Sequence, residues 1–176
     1  MTTIRQFRAT DLFKFNSINL DYFTETYENN FYLIYMATWP ELFHVAKSLT
    51  GELMGYIMGK VEGNGTNWHG HVTALTVSPG YRRLGLGKAL MDFLEVTSEK
   101  THNCYFVDLF VRPSNNVAVT MYKNLGYLVY RRIIDYYWSS DSNPSEDGFD
   151  MRKSLARDPK KKSMIPLKHP VHARDV

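Results

Sequence analysis

Arg82-Arg83-Leu84-Gly85-Leu86-Gly87 is the stretch on which the reading of this chain turns. Before it, His69 to Val77 forms a β-prone run that stops at Ser78-Pro79-Gly80. After it, Leu86, Leu90, Phe93 and Leu94 recur at helical spacing, with Met91 beside them. The stretch is therefore a glycine-bearing junction between a strand and a helix. Glycines let the main chain come close to a ligand, and the free N–H groups of a helix start favour negative charge. A diphosphate fits such a cradle; a glycine turn that simply caps the helix fits it too. The Gly-Lys-Ser/Thr ending of a nucleotide P-loop is missing. Leu90 stands where a dinucleotide fingerprint has its last glycine.

Toward the N-terminus, Ile4 to Arg8 alternates as a first strand, and Thr10 or Asp11 caps a helix expected over Leu12 to Leu20. Residues 21–30 are polar and aromatic, a loop. Phe31 to Met36 is apolar almost throughout, so a helix there needs cover on all sides, from its own sheet or from another protein. Phe43–Ala46 and Leu53–Val61 are strands joined at Thr50-Gly51-Glu52, and Gly63-Asn64-Gly65 is a further turn. Toward the C-terminus, Tyr105 to Val111 is a strand, apolar except for Asp108. Asn115 to Leu125 is a helix stopped by Gly126, and Tyr127 to Tyr137 is a long strand. Asp141 to Asp147 is a polar loop, and Phe149 to Lys153 a short last strand. The mixture places the fold in the α/β (α+β) class.

The 176 residues suit one domain, expected over 1–153, followed by a basic tail over 154–176. Residues 151–176 hold eight Lys or Arg against two acids, whereas 1–150 hold 13 basic and 16 acidic residues. A slightly acidic body argues against a nucleic-acid-binding domain; Lys160-Lys161-Lys162 is a short basic run in a tail expected to be solvated. A hydrophobic share of 44% excludes wholesale disorder, and no apolar run is long enough to span a membrane. The N-terminus lacks a signal-peptide core. The single cysteine, Cys104, excludes an internal disulfide and a C-x-x-C site, which fits a reducing, cytoplasmic compartment. His69-x-His71 lacks a third ligand motif, so no metal is expected.

The motif R-x-x-G-x-G after Val-Ser-Pro resembles the acetyl-CoA-binding motif of the GNAT superfamily of N-acetyltransferases. So do Asn115-Asn116-Val117-Ala118, Met121-Tyr122 and Leu125-Gly126-Tyr127. Further stretches look like the N-terminal protein acetyltransferases: Asn19-Leu20-Asp21 with Thr24-Glu25-Thr26-Tyr27, Gly55 to Lys60, and His69 to Leu75. Trp68 to His71, Val107 to Arg112, Asp135-Tyr136-Tyr137 and Ile165 to Val171 look specifically like the NatB catalytic subunits. This resemblance covers nearly the whole chain. It implies a mixed, mostly antiparallel sheet flanked by helices and splayed where acetyl-CoA enters. It also implies transfer of acetyl to nascent chains beginning Met-Asp, Met-Glu, Met-Asn or Met-Gln. The implied partner is a large helical-repeat auxiliary subunit, with work done at the ribosome and no membrane contact.

By the same resemblance, main-chain groups around Leu75 and Val77 hold the acetyl carbonyl. Arg82, Arg83, Leu84, Gly85, Leu86, Gly87 and Lys88 hold the diphosphate. Asn115 binds the pantetheine arm, and Tyr122 faces the sulfur as a general acid. Glu25 and Tyr27 flank the incoming N-terminus opposite Tyr136 and Tyr137, while His71 and Thr73, with Ala74 beside them, contact the second residue. The sequence offers no obvious general base. An α-amine, with a pKa near ~7.8, is about one-quarter neutral near pH ~7.4, whereas a lysine is neutral in roughly one part in a thousand. A water held by main chain or by Tyr56 would suffice.

Overall fold

The computed structural model describes residues 2–16, 18–138 and 145–176. Among these, eight strands form one sheet: β1 (Thr3–Gln6), β2 (Phe43–Lys47), β3 (Leu53–Glu62), β4 (His69–Val77), β5 (Phe106–Val111), β6 (Leu128–Tyr137), β7 (Glu146–Ser154) and β8 (Val171–His172). Their order is β1-β2-β3-β4-β5-β7-β6-β8. Only β4/β5 and β6/β8 pair in parallel. Three α-helices flank the sheet: α1 (Asn29–Thr38), α2 (Leu86–Lys100) and α3 (Asn116–Asn124). No helix among the described residues is long and apolar enough to cross a membrane.

The alternation of strand side chains divides the core into two layers. On one face, Leu86, Leu90 and Leu94 of α2 and Val119 and Tyr122 of α3 pack on Ile57, Val72, Leu109 and Met151. Phe93, expected on the same stripe, is 39% exposed and lies instead against His44. On the other face, Tyr32 and Tyr35 of α1 join Phe7, Phe15, Phe43, Tyr56 and Met58 in an aromatic cluster.

Three expectations change. No α-helix forms over the described part of Leu12 to Leu20; a 3-10 turn over Ala9–Phe13 takes its place. Asp11 causes this locally: its carboxylate takes two hydrogen bonds from Arg5, both 2.7 Å, and one from the Arg8 N–H. The α1 helix forms as expected over Phe31 to Met36 but is not covered all round, since Leu33 and Ile34 are 42% and 50% exposed. The last long strand begins at Glu146, so Glu146 and Asp147 leave the expected polar loop, of which 141–144 lie outside the described residues. Residues 154–176 run back along the sheet. Met164 is buried, the Leu167 N–H donates to the Tyr130 carbonyl, and β8 lies beside β6.

Candidate active site

The sheet opens in its middle. β4 pairs with β5 only over His69–Val72 against Phe106–Leu109. Met58 pairs with Ala74 and its neighbour Gly59 with Val72, which leaves Thr73 as an extra residue in β4. Such a bulge bends a strand and ends local pairing. Beyond it, the main chain of Thr73 to Val77 has no strand partner on the β5 side. A cavity of about 480 Å³ occupies the gap. Its walls are Thr73 to Thr76 of β4, Leu109 to Arg112 at the end of β5, Asn115 at the start of α3 with Ala118 and Tyr122 from that helix, and the loop residues Phe23, Thr24, Glu25 and Tyr27. The far side is made by Tyr136 and Tyr137.

Neighbouring strand residues normally face opposite ways. Tyr136 and Tyr137 reach the same cavity because β6 is irregular between Ile133 and Tyr137, where Asp135 has a φ of 53°. The Asp135 N–H donates to Asp147 at 3.0 Å and its carboxylate accepts from Ser145 at 2.6 Å, which fixes the irregularity. Tyr136 meets Phe110 edge-on at 4.8 Å. Across the cavity, Tyr27 stacks on Phe31 at 4.4 Å, and Tyr35 of α1 is hydrogen-bonded to Thr73 at 2.9 Å. Burial pushes the hydroxyls of Tyr27 and Tyr137 well up and that of Tyr136 up to about 12, so all three stay neutral. The loop that carries Tyr27 is strapped to β5. Glu25 accepts from Arg112 at 3.0 Å, and Arg112 lies over the Tyr137 ring at 4.1 Å while also reaching Glu146 at 3.4 Å.

His71 lines the cavity and is almost fully buried. Its Nδ1 is 2.7 Å from Asp108 of β5, which stands directly opposite in register. Asp108 is also 3.4 Å from His69 Nε2. Burial would raise the Asp108 carboxyl, but His71, His69 and Arg152 hold it below the usual carboxylate range. Glu62 supplies in space the third group that the sequence lacked beside His69-x-His71, all within 4.8 Å. Each already has a protein partner: Lys60 for Glu62, the Asn67 carbonyl and Asp108 for His69, Asp108 for His71.

A model of the acetyltransferase (GNAT) family matches residues 12–127. The catalytic subunit NAA20 of the N-terminal acetyltransferase B complex of Arabidopsis thaliana is 57% identical, over 97% of this chain and 95% of that protein. Naa20 of Chaetomium thermophilum, solved with a bisubstrate analogue, superposes with a TM-score of 0.91 at 45% identity, covering 98% of this chain and 97% of that one. A chain of the NatB acetyltransferase complex solved with a bisubstrate inhibitor gives 0.85 at 36% identity, covering 99% and 98%. The chain belongs to the GNAT family, among the NatB catalytic subunits. It is an N-acetyltransferase.

In this acetyltransferase the cavity brings together ten of the residues singled out from the sequence: Glu25, Tyr27, His71, Thr73, Ala74, Leu75, Asn115, Tyr122, Tyr136 and Tyr137. The stretch Arg82–Lys88 lies outside that lining, at the start of α2. Arg83 and Gly85 have φ of 65° and 78°, and α2 starts without a side-chain cap or an acidic residue in its first turn. A Cβ on Gly85 would meet nothing within 4 Å, and one on Gly87 would come within 3.1 Å of Met121, next to Tyr122. Exposed main-chain donors, open space and close packing on α3 therefore fit an anionic ligand running from the helix start toward the cavity. Leu86 points into the core and contributes main chain only. Arg82 is held at 3.2 Å from Asp21 and donates to the Val77 carbonyl at 3.3 Å. Asn115 caps α3 by accepting from the Ala118 N–H at 3.2 Å and lines the cavity as well.

Two expectations fail or weaken. Tyr56 does not reach the cavity: its ring is enclosed by Phe7, Phe15 and Phe43, and the side chain is fully buried. Its hydroxyl has Tyr32 and Thr76 nearby but no partner in bonding geometry. Removing a buried, unbonded hydroxyl costs little, so Tyr56→Phe is expected to keep its activity and to match or exceed the parent's stability by up to ~1 kcal/mol. Steady-state kinetics with thermal denaturation checks this. Val77 lies outside the cavity lining and offers main chain at the end of β4. Cys104 is buried away from the site, with its thiol pushed up to about 11 by burial, an inert structural thiol. The sequence reading names Asp108, Phe110 and Arg112 within the Val107 to Arg112 stretch but assigns them no place in the site. The charge of Asp108 inside an apolar strand was the available signal.

Proposed function

We propose that this enzyme transfers acetyl from acetyl-CoA directly to the α-amine of proteins beginning Met-Asp, Met-Glu, Met-Asn or Met-Gln. The observation that carries this reading is the aromatic collar of Tyr27, Tyr136 and Tyr137 around a cavity that also holds His71 and Thr73. Rigid aromatic rings suit a methionine side chain through sulfur–aromatic contact. His71 and Thr73 offer hydrogen bonds to a second residue that is polar, whether carboxylate or amide. Acetyl-CoA, when bound, supplies an activated thioester. The main-chain edge of Thr73 to Val77 that faces away from β3 polarises the acetyl carbonyl, Arg82 to Lys88 hold the diphosphate, and Asn115 steadies the arm between them. The Tyr122 hydroxyl donates to the sulfur as it leaves. Glu25, engaged with Arg112 and half exposed, shapes the loop and leaves the amine to lose its proton to solvent. An α-amine needs that help far less than a lysine does.

The outer face of α1 and the segment before it leave Phe13, Leu20, Tyr22, Leu33 and Ile34 exposed. This surface suits the large helical-repeat auxiliary subunit of a heterodimer working in the cytoplasm at the ribosome. The test is acetyl-CoA turnover, with and without the co-purified auxiliary subunit, on Met-Asp, Met-Glu, Met-Asn, Met-Leu and Ser-first peptides and on an internal-lysine peptide with a blocked N-terminus. Preference for Met followed by an acidic or amide residue is expected. Turnover of the lysine peptide alone removes the substrate assignment and keeps the fold.

A further inference from the structure

On the α1 side of the sheet, beyond the reach of α1 itself, charged groups form a row across the strands. It runs from Lys60 and Glu62 on β3, through His69 and His71 on β4 and Asp108 on β5, to Arg152 and Asp150 on β7 and Arg131 on β6. Asp108 is the hub, with 3% of its surface exposed. An ionised carboxylate only accepts hydrogen bonds. The ring nitrogen facing it at 2.7 Å, Nδ1 of His71, must therefore carry a proton. Nε2 is the nitrogen left for a ligand in the cavity. It bears a proton when the ring is charged and a lone pair when the ring is neutral.

We propose that Asp108 locks His71 in the Nδ1-protonated form, so that the preference between acidic and amide second residues changes with pH. This rests on the reading above that His71 contacts the second residue. Charged His71 donates from Nε2 to a carboxylate or to an amide oxygen. Neutral His71 presents a lone pair, which repels a carboxylate but accepts from the NH₂ of an amide turned over. Asp108 acts here as a positioning residue; it does not touch the substrate. The other charged and titratable groups facing His71 are Lys60 and Glu62 (paired at 2.5 Å), His69, Glu25 and tyrosines 27, 35 and 136. Of these, only His69 carries a second imidazole, so it needs its own control.

The experiment is kcat/KM for Met-Asp and Met-Asn peptides, otherwise identical, from about pH 5.5 to 8.5, on the enzyme co-purified with its auxiliary subunit. Ionisation of the α-amine is common to both peptides and cancels in the ratio, and the aspartate side chain stays ionised throughout. The Met-Asp to Met-Asn ratio is expected to fall about tenfold as pH rises, the effect of one charge-assisted hydrogen bond. Asp108→Asn can donate its amide to Nδ1 and leave the proton on Nε2, so its ratio is expected to be flat. His69→Gln is expected to keep the slope. A flat ratio in the unmodified enzyme overturns the proposal without any variant having to fold. So does an unchanged slope in Asp108→Asn, or its loss in His69→Gln. If His71→Ala leaves both peptides unaffected, the contact itself is absent and the substrate-site reading fails with it.

Discussion

Tyr122→Phe is expected to turn over about 10²- to 10³-fold more slowly while binding acetyl-CoA almost as well as the parent, the loss typical of removing one donor aimed at developing charge. The Tyr122 ring forms part of the cavity wall and is 7% exposed. Burial alone pushes its hydroxyl well above the usual range, and it has no hydrogen-bond partner among the described residues. A phenol so weakly acidic keeps its proton. In the reaction proposed above it serves as a hydrogen-bond donor to the leaving sulfur more than as an acid that gives the proton up. Its position is rigid. Tyr122 meets Tyr127 at 5.9 Å, the Tyr127 hydroxyl donates to Glu95 at 2.9 Å, and Lys153 closes on the same carboxylate at 2.6 Å. Single-turnover rates with a Met-Asp peptide, alongside calorimetric acetyl-CoA binding, separate the two effects. A loss of only a few-fold would show that the sulfur leaves without this donor.

The second large effect concerns stability. Asp150 is completely buried and accepts from Arg131 at 2.7 Å and from Arg152 at 3.3 and 3.4 Å. Arg152 is itself nearly buried, lying 3.6 Å over the Tyr130 ring and 4.5 Å over that of Phe106. Asp150→Ala leaves two guanidiniums facing each other in a dry layer. Removing one partner of a buried ion pair costs about 3–5 kcal/mol. For a chain of this length that lowers the melting temperature by on the order of 10 °C. Thermal denaturation at neutral pH checks it, and a shift within about 2 °C would mean that Asp108 and water already balance the arginines.

The parts of the fold that were legible in the sequence are those where one local period dominates. The strand over His69–Val77 and the helix from Leu86 follow from a β-prone run stopped at Ser78-Pro79-Gly80 and from an i, i+4, i+8 stripe. The expected helix after Asp11 failed because a single carboxylate, bound to Arg5 from an adjacent strand, tied the backbone into a shorter turn. The cavity was legible where motif residues reach it through fixed spacing, as with Asn115 and Tyr122. It was not legible where register decides. Asp108 meets His71, and Arg112 meets Glu25, only because distant strands and loops are laid side by side. The bulge at Thr73 and the irregularity at Asp135 leave no composition signal, yet they open the sheet and turn two consecutive tyrosines into one cavity. Tyr56 lies off the cavity wall for a related reason: an apolar strand does not announce which of its faces meets an aromatic core.

The opening between β4 and β5 bears on drug resistance. A wall of the cavity is main chain, Thr73 to Thr76, whose N–H and C=O groups are the same whatever side chain each residue carries. An inhibitor that draws its affinity from those groups presents few targets for escape by point mutation. Of the single substitutions, only proline deletes a main-chain donor, and it also fixes the backbone of the strand at that point. Compounds that lean on Tyr27, Tyr136 or Tyr137 have no such protection, because each ring can be exchanged without breaking the sheet.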